Sequence, residues 1–243
     1  VYVSQTATNT IIGGTTASAR NVISGNRAFG IMVNGAVGTM IQGNYIGTNA
    51  AGTGALGNHQ DGITINFGAR LTQVGGVASV AGNRIAFNGW NGVNVTTATT
   101  ARNLIRRNSI YRNSFLGIDL GFDGVTLNDV LDPDSGPNSL QNFPIISSAT
   151  SATRVIVGQL RSKASQSYSL DFYYTPASIG CDPSHYGEGK TYIGFANVTT
   201  NLSGVANFTV TVTGAFPVGS IITATATDSI RNTSEFSLCR TAN

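Results

Sequence analysis

Five of the chain's 11 acidic residues crowd into one stretch with Asn, Gly and Pro: Asp119, Asp123, Asp129, Asp132 and Asp134. Clustered carboxylates among turn residues suit a hard cation, and Ca²⁺ takes about six to eight oxygens. Asp123, Asp129, Asp132 and Asp134 are therefore candidate Ca²⁺ ligands. The stretch is not an EF-hand, because Gly136 and Pro137 stand where that loop needs a ligand and a glycine. The alternative is a turn-rich linker that caps the element before it.

Two catalytic chemistries can also be weighed. Glycoside hydrolysis needs two carboxylates at a defined separation, and Asp61 and Asp119 are the candidates. The repeat described next places them two rungs apart, about 10 Å at the spacing of strands, with no pocket evident. A lyase needs clustered carboxylates for Ca²⁺ and an Arg or Lys to take a proton. The outward strand positions are Met32, Thr64, Asn94 and Asp119, then Asn34, Asn66, Thr96 and Gly121, and they supply one Asp and no cation. His59 and Asp61 read as a solvated turn, and Arg106 and Arg107 as a basic surface patch. His185, beside Tyr186 and Glu188, reads as a loop-packing residue. The balance leans away from an enzyme.

These residues must be carried by a repeat. The pattern Asn-x-Ile-x-x-Asn occurs on Asn21, Ile23 and Asn26; Asn44, Ile46 and Asn49; Asn83, Ile85 and Asn88; and Asn108, Ile110 and Asn113. Gly30-Ile31, Gly92-Val93 and Gly117-Ile118 follow three copies, and Gly62-Ile63 follows the other once Asn58 replaces Asn49 across an insertion. Self-similarity on this scale marks stacked rungs. The apolar pairs Ile31/Val33, Ile63/Ile65, Val93/Val95 and Ile118/Leu120 alternate as strands with one buried face do. Ile23, Ile46, Ile85 and Ile110 form a second apolar row. A single rung cannot bury its apolar face, so a parallel β-helix is the economical fold. The asparagines belong at its corners, where Asn tolerates left-handed backbone and its amide can bond the equivalent amide one rung away.

Composition narrows the setting. Only 10% of the 243 residues are charged, and the net charge of +3 contains no basic run. That argues against nucleic-acid binding. No apolar run approaches the ~20 residues of a membrane span, and no leader-like segment opens the chain. Cys181 and Cys239 predict one disulfide and an oxidising compartment, the alternative being two buried thiols. The bond would be worth roughly 4 kcal/mol in the chain-entropy picture.

Beyond residue 145 the repeat gives way to longer strands at 155–160, 168–174, 192–198, 206–212, 221–227 and 234–238, a pattern that predicts an immunoglobulin-like β-sandwich. Several motifs resemble those of bacterial secreted, right-handed parallel β-helix repeat proteins. They are Ile11-Ile12-Gly13-Gly14, Gly43-Asn44-Tyr45-Ile46-Gly47-Thr48, Gly117-Ile118-Asp119-Leu120-Gly121, and Gly136-Pro137-Asn138 with Leu140-Gln141-Asn142-Phe143-Pro144. Thr225-Ala226-Thr227-Asp228 and Asn232-Thr233-Ser234-Glu235-Phe236-Ser237 resemble their terminal sandwich. The resemblance implies a large, repetitive, secreted or surface-exposed protein, and it carries over no catalytic residue. The expected architecture is all-β: a right-handed parallel β-helix over 1–121, an acidic linker or capping loop over 122–144, and a smaller immunoglobulin-like sandwich over 145–243.

Val1-Tyr2-Val3 aligns with Ile31-Met32-Val33, so the sequence opens inside a core strand. An uncovered rung is a template for strand addition, and head-to-tail contacts that do not close make filaments. The leading expectation is a non-catalytic extracellular or cell-surface structural protein. It would associate with itself head to tail through Val1, Tyr2, Val3 and Ile11, as a filament or surface-layer subunit. The alternatives are a carbohydrate-binding or adhesive module with surface glycans as partners, and a polysaccharide lyase or hydrolase.

Overall fold

The computed structural model describes residues 1–78 and 80–243, and over these the chain is all-β. Its first half makes repeated circuits through three parallel sheets. The first circuit supplies β1 (Tyr2–Val3), β2 (Ile11–Gly13) and β3 (Val22–Ile23), and the second β4 (Ile31–Asn34), β5 (Met40–Gln42) and β6 (Tyr45–Ile46). The third gives β7 (Ile63–Asn66), β8 (Gln73–Gly75) and β9 (Arg84–Ala86). The fourth gives β10 (Val93–Val95), β11 (Leu104–Arg106) and β12 (Ser109–Tyr111), and β13 (Ile118–Leu120) follows. The sheets run β1-β4-β7-β10-β13, β2-β5-β8-β11 and β3-β6-β9-β12.

The pairing register stacks like on like. Ile31, Ile63, Val93 and Ile118 fall in one row, and Val33, Ile65, Val95 and Leu120 in another. Ile12, Ile41, Val74 and Ile105 make the row of the second sheet, and Ile23, Ile46, Ile85 and Ile110 that of the third. All are buried in one apolar core. Stacking is what removes these side chains from water, at roughly 1.5–3 kcal/mol each.

The corners are held by amides. Asn21 donates its backbone N–H and Nδ2 to Asn44 Oδ1 at 3.1 and 3.0 Å, Asn44 does the same to Asn83, and Asn83 to Asn108. A second column runs from Asn26 through Asn58 and Asn88 to Asn113. Backbone at these corners approaches closely. Gly75, at φ +79°, could carry no Cβ without striking the Arg106 carbonyl.

The second half holds β14 (Ile145–Thr150), β15 (Val155–Arg161), β16 (Ser167–Thr175), β17 (Thr191–Thr199), β18 (Val205–Thr211), β19 (Ile221–Asp228) and β20 (Arg240–Thr241). They form two antiparallel sheets, β14-β15-β18 and β17-β16-β19-β20. Side chains from both sheets, among them Ile156, Leu160, Phe208, Leu170, Phe172 and Ala224, share a second apolar core. Tyr173 and Phe236 leave that half and join the core of the parallel sheets. Two details differ from the sequence reading. β14 was not foreseen, because a bulge between Ile146 and Ser148 breaks its alternation. Residues 234–238 form no regular strand, and the bridges Thr227 to Thr233 and Tyr186 to Leu238 hold that segment instead.

Candidate functional site

Asp119, on β13, lines a cleft of about 710 Å³ with Trp90, Phe115, Phe122 and residues 182–184. The stacked rungs place two of its aromatics one above the other, since Phe115 N–H donates to the Trp90 carbonyl at 3.3 Å. Phe122 follows β13 in left-handed backbone (φ +67°) and leans on Trp90 at 5.2 Å between ring centres, with Phe29 edge-on to Trp90 at 6.5 Å. The opposite wall comes from the second half. There the disulfide between Cys181 and Cys239, foreseen from the sequence, tethers residues 182–184.

Behind the aromatic wall lies a buried polar network. Asn91 joins the two carboxylates singled out above, its backbone N–H donating to Asp61 Oδ1 at 3.0 Å and its Nδ2 to Asp119 Oδ2 at 3.1 Å. Asp61 Oδ2 accepts from Thr64 Oγ1 at 2.9 Å and Asn94 Nδ2 at 3.2 Å, and Asp119 Oδ1 accepts from Phe122 N–H at 2.8 Å. Asp61 is 0% exposed, so the solvated turn expected for it is corrected: its side chain folds back over β7 and β10 to satisfy their polar groups. For the same reason Thr64 and Asn94 are buried. His59 is exposed, as a turn residue should be. The sequence reading found no pocket near Asp119, and one is present, built by Phe122 and the disulfide-tethered loop. It does not admit Asp61, so a dyad of Asp61 and Asp119 could not flank a substrate.

Burial pushes the Asp119 carboxyl up to about 6, helped by the nearby Asp123 and Asp61 charges, and it raises Asp61 as well. Glu235 accepts Leu120 N–H at 2.9 Å and Thr126 N–H at 3.0 Å, and burial beside Asp119 and Asp123 lifts it to about 8. Glu188 accepts Asn113 N–H and Nδ2 at 3.0 and 2.9 Å, together with Arg112 N–H. Burial lifts it to about 7. Glu188 thus occupies the place where the second asparagine column would have its next member.

These shifts have one sign. Each carboxyl is protonated more readily in the folded protein than in the unfolded chain, so its stabilising form is fully present below the unfolded value, 3.8 for the aspartates and 4.5 for the glutamates, and is lost as pH rises through the folded values. At ~1.4 kcal/mol per pH unit, Glu188 alone gives up about 3 kcal/mol between those limits. Melting followed by circular dichroism should therefore give a higher midpoint at pH 5 than at pH 8.5. A midpoint that climbs across this interval would contradict the assignment.

Arg106 is not part of a surface patch. It is buried and paired with Asp171 on β16, Nε to Oδ2 at 2.5 Å and Nη2 to Oδ1 at 2.7 Å. Arg107 donates its N–H to Tyr173 Oη at 2.9 Å and lays its guanidinium over Tyr192 and Phe195. His185 is exposed.

Of the four candidate Ca²⁺ ligands, Asp129, Asp132 and Asp134 converge, with one oxygen of each lying within 4.8 Å of the others. Asp123 is not in that group. It sits beside Gly121, where its charge acts on Asp119 and Glu235. Of the four residues expected at a self-contact, Tyr2 and Ile11 are more than 60% exposed and Val1 is also exposed. Val3 points inward and belongs to the core, on the edge strand β1.

No helix among the described residues is long and apolar enough to cross a membrane. No family model and no curated protein matches this chain.

Proposed function

We propose that this chain is an extracellular or cell-surface carbohydrate-binding module, in which a right-handed parallel β-helix and an immunoglobulin-like sandwich hold one sugar cleft between them. The hand follows from the strong preference of parallel crossover connections, and the layout is that of the bacterial secreted repeat proteins its motifs resemble. The observation that carries the function is the cleft itself. Trp90, Phe115 and Phe122 offer apolar faces of the kind on which sugar rings stack, and Asp119 offers a carboxylate to hydroxyl donors. Asp61 is sealed off, which removes the pair of carboxylates that the repeat offered for hydrolysis and leaves Asp119 and Asp182 as the acidic groups of the lining. Asp119, Asp123 and Asp182 disfavour uronates and favour neutral or amino sugars.

A glycan array followed by titration calorimetry tests this. Phe122→Ala, at a half-exposed ring, should weaken binding at least tenfold while leaving the melting midpoint within about 2 °C. An array of neutral and amino glycans without a hit would end the proposal.

The second reading is head-to-tail self-association. It is supported by exposed Tyr2, Ile11 and Val22 on β1, β2 and β3, the edge strands of the three parallel sheets. Light scattering that reports monomers at high concentration would sink it.

A further inference from the structure

We propose that Asp129, Asp132 and Asp134 form a Ca²⁺ site that fastens the 122–144 segment to the antiparallel half. Three converging carboxylates alone would not make such a site. The informative atoms are the ones left over. Asp132 is 1% exposed, and its Oδ2 accepts the Ser162 hydroxyl, Gln141 Nε2 at 2.8 Å and Asn142 N–H at 3.3 Å. Its Oδ1 is buried and has no hydrogen-bond partner, and Asp134 Oδ1 is in the same condition. Native proteins satisfy nearly all buried polar atoms. Two unpartnered carboxylate oxygens in one cluster, with Asp129 completing the set, call for a positive ligand rather than a neutral donor.

Among the described residues no ion pair to Asp132 or Asp134 closes within 4.0 Å. The cluster contains no His or Cys, so the donors are all oxygens and suit a hard cation. Oxygens up to 4.8 Å apart fit on opposite sides of an ion bound at about 2.4 Å, the Ca²⁺ distance. Mg²⁺, at about 2.1 Å, would require the set to contract.

The neighbours say what the ion would hold. Asn142 Nδ2 donates to the Asp129 and Arg161 carbonyls, both at 2.9 Å, and Gln141 Nε2 reaches Ser162 Oγ at 3.0 Å. The site therefore lies where the acidic segment is stitched to the end of β15. A cation there would neutralise the repulsion that opposes this junction. Extracellular Ca²⁺ sites bind at about 10⁻⁴–10⁻³ M, and that range is expected.

The test uses the full chain after chelator treatment. Titration calorimetry with CaCl₂ should give one site per chain in that range, and 5 mM CaCl₂ should raise the melting midpoint by several degrees. Asp134→Asn, at a half-exposed position, should weaken binding at least tenfold and remove most of that rise. Asp132→Asn should do the same. Should it fail to fold, through the bonds made by Oδ2, Asp134→Asn decides the matter alone. The proposal is overturned by absence of heat and of any midpoint shift up to 10 mM CaCl₂, by an equal shift with NaCl of matched ionic strength, or by an equal response to MgCl₂.

Discussion

Replacing Asp171 by alanine should destabilise the protein by about 3–5 kcal/mol, measured as a lower urea midpoint. Asp171 is fully buried on β16 and receives two nitrogens of Arg106 from β11, so the pair bolts the two halves together. Its loss leaves a guanidinium in the interior with its charge uncompensated, and desolvation without a partner is what makes such changes severe. Arg106→Met combined with Asp171→Leu removes both charges together and should recover most of the loss. A cost below about 1 kcal/mol for Asp171→Ala would show that Arg106 finds water in the native state.

The second large effect is expected at Glu188. Alanine there strips the acceptors from Arg112 N–H, Asn113 N–H and Asn113 Nδ2 at the end of an amide column. Each orphaned buried donor costs about 1–3 kcal/mol, and Asn113 Nδ2 keeps the Ile85 carbonyl as a second partner. A loss of about 3–4 kcal/mol near pH 5 follows. The difference from wild type should narrow by pH 8.5, because the native carboxyl gives up stability over that range and alanine does not. Glu188→Gln separates the two contributions: it keeps an acceptor for Asn113, presents an amide to Arg112 N–H, and loses the pH dependence. Parallel pH profiles for wild type and Glu188→Ala would refute the account.

The amide columns and aliphatic rows could be read from the sequence because their physics repeats. Asn44 and Asn83 do the same work in neighbouring rungs, so their spacing betrays them. The cleft repeats nothing. Trp90 comes from a rung, Phe122 from the chain leaving the last rung, and residues 182–184 from a loop that Cys239 fixes. The pairing of Arg106 with Asp171 spans 65 residues and that of Asn113 with Glu188 spans 75, with no periodic signal to join them. For Asp61 the error had a physical source. A carboxylate in a polar turn looks solvated until the unsatisfied Thr64 and Asn94 it serves are seen beneath it. The acidic stretch was readable in type but not in membership, because only folding separates Asp123 from Asp129, Asp132 and Asp134.

The asparagine columns also have a direction. From Asn21 to Asn108 and from Asn26 to Asn113, the side-chain oxygen accepts from one neighbour while the amide nitrogens give to the next. The second column ends on Glu188, whose Oε1 accepts from Asn113. At the opposite face Asn21 and Asn26 therefore present oxygen. Whatever stacks there, whether a further rung or a strand from a second copy, must bring N–H groups to those two corners. Two such faces turned toward each other would set oxygen against oxygen. A stack that grew through this face would have to be one-way, as between a plug and a socket.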